Sequence, residues 1–463
     1  MIFILYLIPF YCYFIVTTYV YSIGDMDVLK IRKSFKFKLK MTDKLEEYCI
    51  LNAGHTRFVW NYFLRINLDR LNNKSCNRDQ IKKDPSESSR LMWYYDMGCF
   101  TSNILKKLEE TAFLKEAFSG CLNQKLKDLH RAFKDFFNKK LPDIREPVFK
   151  NKRNDNSFRF HKFGKDCKLK DNKIRLPKFG WATFFKSREI TGTPKNLTIR
   201  KDGKDWFFSI QCEEEISVKK NTKKSVGIDL GVKTFATCAS EKCSDNYQFK
   251  EYGSKNYGKK YQDKKAKLQR KLANKVKFSN NWKKQNVKIN KVTRKIKNCR
   301  HDYIHKVSTE ICKNHAKIYV ENLKVANMTK SAKGTVENPG KNVKQKSGLN
   351  KSILDQGWGM FREMLEYKAN WNGGEVIKVA PQRTSQQCHK CGHVDAKNRK
   401  TQKKFECLKC KNVINADRNA AINILTLGQR GIACEVSSLV KRIPAARTKP
   451  LNLSKNDAVI LVT

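Results

Sequence analysis

Apolar and basic residues alternate from Val28 to Leu39, the period of a half-buried strand. Its other face presents Lys30, Arg32, Lys36, Lys38 and Lys40, a row of cations suited to phosphates. After Thr42 the period lengthens. TDKLEEYCILNAGHTRFVWNYFLRINLDRL has acids in its first turn and apolar residues at helical spacing, with Arg57, Asn61 and Arg65 on one face. Residues 74–89 read as a polar loop around Pro85. Helical spacing resumes from Thr101 to Phe137, where Gln124, Lys127 and Arg131 form a polar stripe. From Arg145 to Ile216 the period returns to two, in short runs cut by Asp, Asn, Gly and Pro, with Asp202–Asp205 (DGKD) as a hairpin turn. These runs and the first strand predict a small β-barrel (26–41 and 141–220) into which a helical domain (42–140) is inserted.

The Lys-rich KKNTKK linker precedes SVGIDLGVKTFATCAS, an apolar strand carrying one acid, Asp229, then a turn at Gly231 and a second strand. Such an acid is costly unless it is paired or bound to a metal. Two antiparallel basic helices are expected between Tyr261 and Asn314. The strand Ala316–Val320 then delivers Glu321 at its end. Residues 326–350 lack apolar periodicity and predict a mobile loop, followed by a helix (358–371) and a strand (375–380). Cys388/Cys391 and Cys407/Cys410 form two Cys-x-x-Cys pairs at zinc-ribbon spacing. Asp417 opens the NAAINIL helix, and a poorly ordered basic tail is expected over 426–463. The fold class expected is α/β plus β-barrel: an RNase H-like domain (221–384 and 413–425) with an inserted zinc ribbon (385–412), preceded by the barrel.

Composition narrows the function. The 463 residues hold 96 Lys and Arg against 44 Asp and Glu, a net charge of +52. A field of that size attracts polyanions. Apolar residues at 40% exclude a disordered basic tail, so nucleic acid is the expected partner. The 16 cysteines are scattered apart from the zinc-spaced pairs, which argues for a reducing compartment over a disulfide framework. Residues 1–25 are an apolar extension, long enough over Met1–Gly24 to span a bilayer but without the basic start of a signal peptide. Met26 is the expected start, with no stable membrane partner and a cytoplasmic or nucleoid location in a bacterium, nuclear in a eukaryote.

Two Cys-x-x-Cys turns complete the tetrahedron of a structural Zn²⁺, leaving no open position for a substrate. Asp229, Glu321 and Asp417 fall in the order in which an RNase H-like fold brings carboxylates together. In-line hydrolysis of a phosphodiester uses two divalent ions roughly 3.5–4 Å apart. Carboxylates suit Mg²⁺ or Mn²⁺, so the three acids are expected to converge on such a pair.

GIDLGVKTFAT, YVENL, the ribbon and NADRNAAINIL, in that order, resemble the TnpB family of transposon-encoded RNA-guided DNA nucleases. RFVWNYFL, LKDLHRAFKDFF, FKNKRNDNSFRF and IRLPKFGW resemble that family's N-terminal half. The resemblance covers roughly Val28 to Leu425. It implies that the RNase H-like domain is a RuvC nuclease domain, with catalytic roles for Asp229, Glu321 and Asp417 and zinc ligation by Cys388, Cys391, Cys407 and Cys410. It also implies a transposon-derived guide RNA and a double-stranded DNA target cut beside a short flanking motif. Arg57, Asn61, Gln124, Lys127 and Arg131 are the candidate nucleic-acid contacts. A nuclease-inactive RNA-guided regulator and a carboxylate-triad DNA transposase are the alternative readings.

Overall fold

The structure, a computed structural model, describes residues 20–23, 26–72, 91–141, 144–152, 155–243, 246–401 and 403–441. The expected loop at 74–89 and most of the apolar extension lie outside the described residues. No helix among the described residues is long and apolar enough to cross a membrane. Two compact units divide the chain, one within 1–218 and 268–291, the other within 219–267 and 292–463.

In the first unit, β1 (Val20–Ile23) pairs with the start of β2 (Met26–Leu39). Next come α1 (Asp43–Asn72), α2 (Tyr94–Phe100) and α3 (Ser119–Phe137). The strands β3 (Ser157–Phe160), β4 (Lys168–Lys170), β5 (Lys173–Leu176), β6 (Gly180–Phe185), β7 (Thr193–Asp202) and β8 (Asp205–Lys219) complete one sheet, ordered β3-β7-β8-β2-β6-β5-β4. Inward residues of alternating strands meet in a core around Phe37, Phe184 and Phe208, with Leu45, Cys49 and Ala53 of α1 closing it. The expected hairpin forms, with Asp202 opposite Asp205.

Four expectations change here and further along the chain. Among the described residues β3 and β4 stand at the two ends of the sheet with no pairing between them, so no closed barrel is seen. The helical stretch from Thr101 breaks into a wide turn (Thr101–Leu105) and a tight one (Glu109–Lys115), because Leu108 and Phe118 adopt extended backbone. Residues 343–350 belong to a helix, and the preceding segment is tied down: Lys346 Nζ donates to Met328 O and Asn350 Nδ2 to Thr329 O. The expected disordered tail begins as helix, which runs on to Lys441; residues 442–463 lie outside the described residues.

The cationic row of β2 also reads differently. Its sheet neighbour β8 and the hairpin bring acids opposite it. Lys30 and Arg32 meet Glu213, Lys33 meets Glu214, Lys36 meets Asp202 and Lys38 meets Asp205. Those cations are neutralised within the sheet rather than held open for phosphates.

In the second unit, β9 (Val226–Asp229), β10 (Thr234–Cys243) and β11 (Asn246–Gly253) form an antiparallel meander. Helices α4 (Gln262–Ala273) and α5 (Asn280–Asn314) follow along the chain, their residues 268–291 counted with the first unit, then β12 (Lys317–Glu321), α6 (Val343–Gln356), α7 (Trp358–Trp371) and β13 (Glu375–Val379). The sheet order is β11-β10-β9-β12-β13, with β12 parallel to both neighbours. A small ribbon carries β14 (Lys404–Glu406) and β15 (Val413–Asn415), and α8 (Ala416–Lys441) ends the described chain.

Both faces of this sheet are covered, as parallel strands require. Val226, Ile228 and Ile318 pack on Ile304, Val307, Phe361 and Leu365 of α5 and α7. Tyr319 and Val379 pack on Ile424 and Leu425 of α8 on the other side. Period two therefore puts Gly227 and Asp229 of β9, and Tyr319 and Glu321 of β12, on the α8 face. The helix lies backbone to backbone on β9: a Cβ added at Gly227 would sit 2.3 Å from Ala421 O and 2.6 Å from Leu425 N. Gly227→Ala is thus expected to cost about 3 kcal/mol or more, read as a lower urea midpoint at unchanged slope.

Candidate metal and acid site

Register alone brings two of the acids together. Ile228 of β9 is paired with Val320 of β12, so the next residues, Asp229 and Glu321, end adjacent parallel strands on one face. Asp417 arrives from the helix. Ala421 covers Gly227, and Asp417 lies one helical turn earlier, toward the same end of β9.

The electrostatics record this proximity. Burial, then the charges of Glu321 and Asp417, push the Asp229 carboxyl up to about 7, against a weaker pull from Arg399 and the Leu230 N–H. Burial raises Glu321 too, offset by the Thr384 hydroxyl, which donates to Glu321 Oε1 at 2.5 Å. Burial raises Asp417, while Arg399 holds it down with Nη2 3.5 Å from its Oδ1. Among the described residues, four cysteines form a group that could hold a metal ion, their Sγ atoms all within 4.8 Å of one another.

Cys388, Cys391, Cys407 and Cys410 do meet at one point. Cys388 and Cys410 Sγ are 3.7 Å apart, Cys391 and Cys407 Sγ 3.5 Å. Sulfurs at about 2.3 Å from a tetrahedral ion lie about 3.8 Å from one another, so the donor set fits. Two matching turns aim them. Cys388 N donates to His393 O and Gly392 N to Cys388 O; Cys407 N donates to Asn412 O and Lys411 N to Cys407 O. Gly392 and Lys411 stand at equivalent places with φ of +72° and +59°.

The ribbon is laced to the acid site. Asn419 on α8 accepts from His389 N and donates to Gln387 O, while Asn423, one turn on, donates to Thr384 O and Gln387 O. Thr384 is the residue that holds Glu321. Arg399 follows buried Asn398, whose side chain donates to Gln386 O and accepts from Leu408 N. Thr384, Asn419, Asn423 and Arg399 were not singled out from sequence; an Asn at i and i+4 just past an acid is the signal that was there to find.

The candidate nucleic-acid residues divide. Asn61 exchanges two hydrogen bonds with the Lys150 backbone, each 2.8 Å. Arg57 donates to Asp155 O at 2.9 Å. Gln124 is buried and donates to Asp128 Oδ1. Arg57 and Asn61 thus tie α1 to residues 150–155, while Gln124 bonds within α3. Lys127 and Arg131 stay exposed, Lys127 lying 5.0 Å over the Tyr94 ring.

Comparison with known proteins adds to this geometry. A family model described as a probable transposase matches residues 209–332, a Cas12f1-like TNB domain matches 358–424, and a helix-turn-helix domain matches 26–75. The chain is 42% identical over 407 residues to the putative RNA-guided DNA endonuclease InsQ of Escherichia coli (strain K12), covering 88% of this chain and 94% of that protein. A putative RNA-guided DNA endonuclease of Streptomyces pristinaespiralis is 27% identical over 412 residues, 88% of this chain and 91% of its own. Among solved structures, a Cas12f1–sgRNA–target DNA complex superposes with a TM-score of 0.52 at 15% identity, covering 85% of this chain and 98% of that one, a likeness of fold alone.

The raised carboxyl of Asp229 has a testable consequence. An acid raised on folding costs nothing below its unfolded value near 3.8 and its full penalty above about 7, so stability falls between them as pH rises. Thermal melts of Asp229→Asn and the parent in Mg²⁺-free buffer are expected to coincide near pH 4. The variant's advantage should then grow up to about pH 7 and level off.

Proposed function

The chain belongs to the TnpB family, and on that premise we propose that it is a transposon-encoded RNA-guided DNA endonuclease. Its catalytic residues are Asp229, Glu321 and Asp417. The observation that carries this reading is the placement of those acids at one end of one sheet face, where their charges oppose each other. Divalent Mg²⁺ or Mn²⁺ bound there would supply Lewis-acid activation of water and of the leaving oxygen. The chain's own contribution is positional. Strand register sets Asp229 beside Glu321, Thr384 orients the Glu321 carboxylate, and Arg399 holds Asp417.

In this reading the five-stranded sheet with α5, α7 and α8 is an RNase H-like nuclease core, and the ribbon holds a structural Zn²⁺. The first unit's sheet and the helices α1–α3 carry the transposon-derived guide RNA and the target duplex, with exposed Lys127 and Arg131 among the contacts. The guide supplies sequence by base pairing, and the protein grips backbone and shape.

Asp229→Ala is expected to abolish Mg²⁺-dependent cleavage of a guide-matched duplex while the ribonucleoprotein still forms. Wild-type complex that binds its target yet never cuts it in Mg²⁺ or Mn²⁺ would support the regulator instead, and strand-transfer products the transposase. Elemental analysis of purified protein is expected to give one zinc per chain; Cys407→Ser should lose it and melt at lower temperature.

A further inference from the structure

The outer face of β4, β5 and β6 holds cations that the rest of the sheet would neutralise. Ile174, Leu176, Ala182 and Phe184 point into the core, so Lys168, Lys170, Lys173, Arg175, Trp181 and Phe185 alternate outward. Register sets Lys168 opposite Arg175 and Lys170 opposite Lys173. Like charges directly opposite each other destabilise a sheet. No ion pair reaches any of these four among the described residues, whereas β2 and β8 in the same sheet pair cation with acid along their length.

An aromatic lies beside them. Arg175 is paired across the strands with Trp181, which is 48% exposed, and Phe185 is 52% exposed on the same strand. Next to this row opens a cavity of about 360 Å³ whose lining includes Lys165, Asp166, Lys168, Arg175, Lys178 and Phe179, four cations against one acid. Its rim is fixed: Tyr48 Oη donates to Pro177 O at 2.7 Å, and its ring lies 5.2 Å from Phe179.

We propose that this face binds an unpaired stretch of RNA, with a base stacked on Trp181 and the flanking phosphates held by Lys168, Arg175 and the cavity. The proposal rests on the RNA-guided reading above. An exposed indole stacks only with a base that has left its own stack, which a duplex does not offer. A resident RNA also offsets the like-charge cost in the resting protein. Displaced single-stranded DNA, present only during a cleavage event, would not.

The test uses the full chain and the RNA that co-purifies with it, labelled and re-bound. Trp181→Ala is expected to weaken binding about tenfold and Trp181→Phe to restore most of it. Lys168→Gln with Arg175→Gln should flatten the slope of log affinity against log salt by about 1.4, for two phosphates. That double variant should melt no lower than the parent, since it relieves a repulsion. Unchanged RNA affinity in both variants overturns the proposal, as does a loss confined to a single-stranded DNA oligonucleotide. If the variants bind RNA normally and guided cleavage persists, this face falls alone. If the parent chain retains no RNA, the proposal and the RNA-guided reading fall together.

Discussion

Three carboxylates forced to one end of a sheet repel each other, and the second unit is organised to bear that repulsion. Asp229 and Glu321 cannot separate, because their strands are hydrogen-bonded through Ile228 and Val320. Asp417 cannot withdraw while α8 rests on Gly227. Burial adds to the cost by removing the water that would screen the charges. Arg399 and the Thr384 hydroxyl lessen it without cancelling it, since the Asp229 carboxyl remains raised to about 7. A divalent cation bound among them would relieve the repulsion, so stability given up here would become affinity for one.

The four-cysteine ribbon has a mechanical part in this. It enters from the strand after Glu321 and leaves into the helix of Asp417, so it sits between two of the three acids along the chain. Asn419 and Asn423 fasten its entry to α8, and the same entry carries Thr384. An ion holding the sulfurs would therefore also hold the hydrogen bond on Glu321 and the ion pair on Asp417. The ribbon need not touch substrate to matter for the acids.

The acids and cysteines were legible because local pattern is enough to find them: an acid ending an apolar strand, or Cys-x-x-Cys repeated at a set interval. What escaped depends on partners remote in sequence. Arg32 reads as a phosphate contact until Glu213, 181 residues away, comes beside it. Gln124 looks solvated on a helical wheel, yet tertiary packing buries that side of α3. Whether a curled sheet closes depends on whether β3 reaches β4, and no strand carries that information alone. The helix at Val343–Gln356 lacks apolar periodicity because it is held by Ile353, Gln356 and polar ties rather than by a full apolar stripe.

The most direct test of the central claim is anomalous diffraction from crystals of the ribonucleoprotein bound to a matched target and soaked in Mn²⁺. Two peaks roughly 3.5–4 Å apart, flanked by the carboxylates of Asp229, Glu321 and Asp417, are the predicted result. Full Mn²⁺ occupancy elsewhere, with no peak among these acids and Arg399 still closed on Asp417, would contradict it.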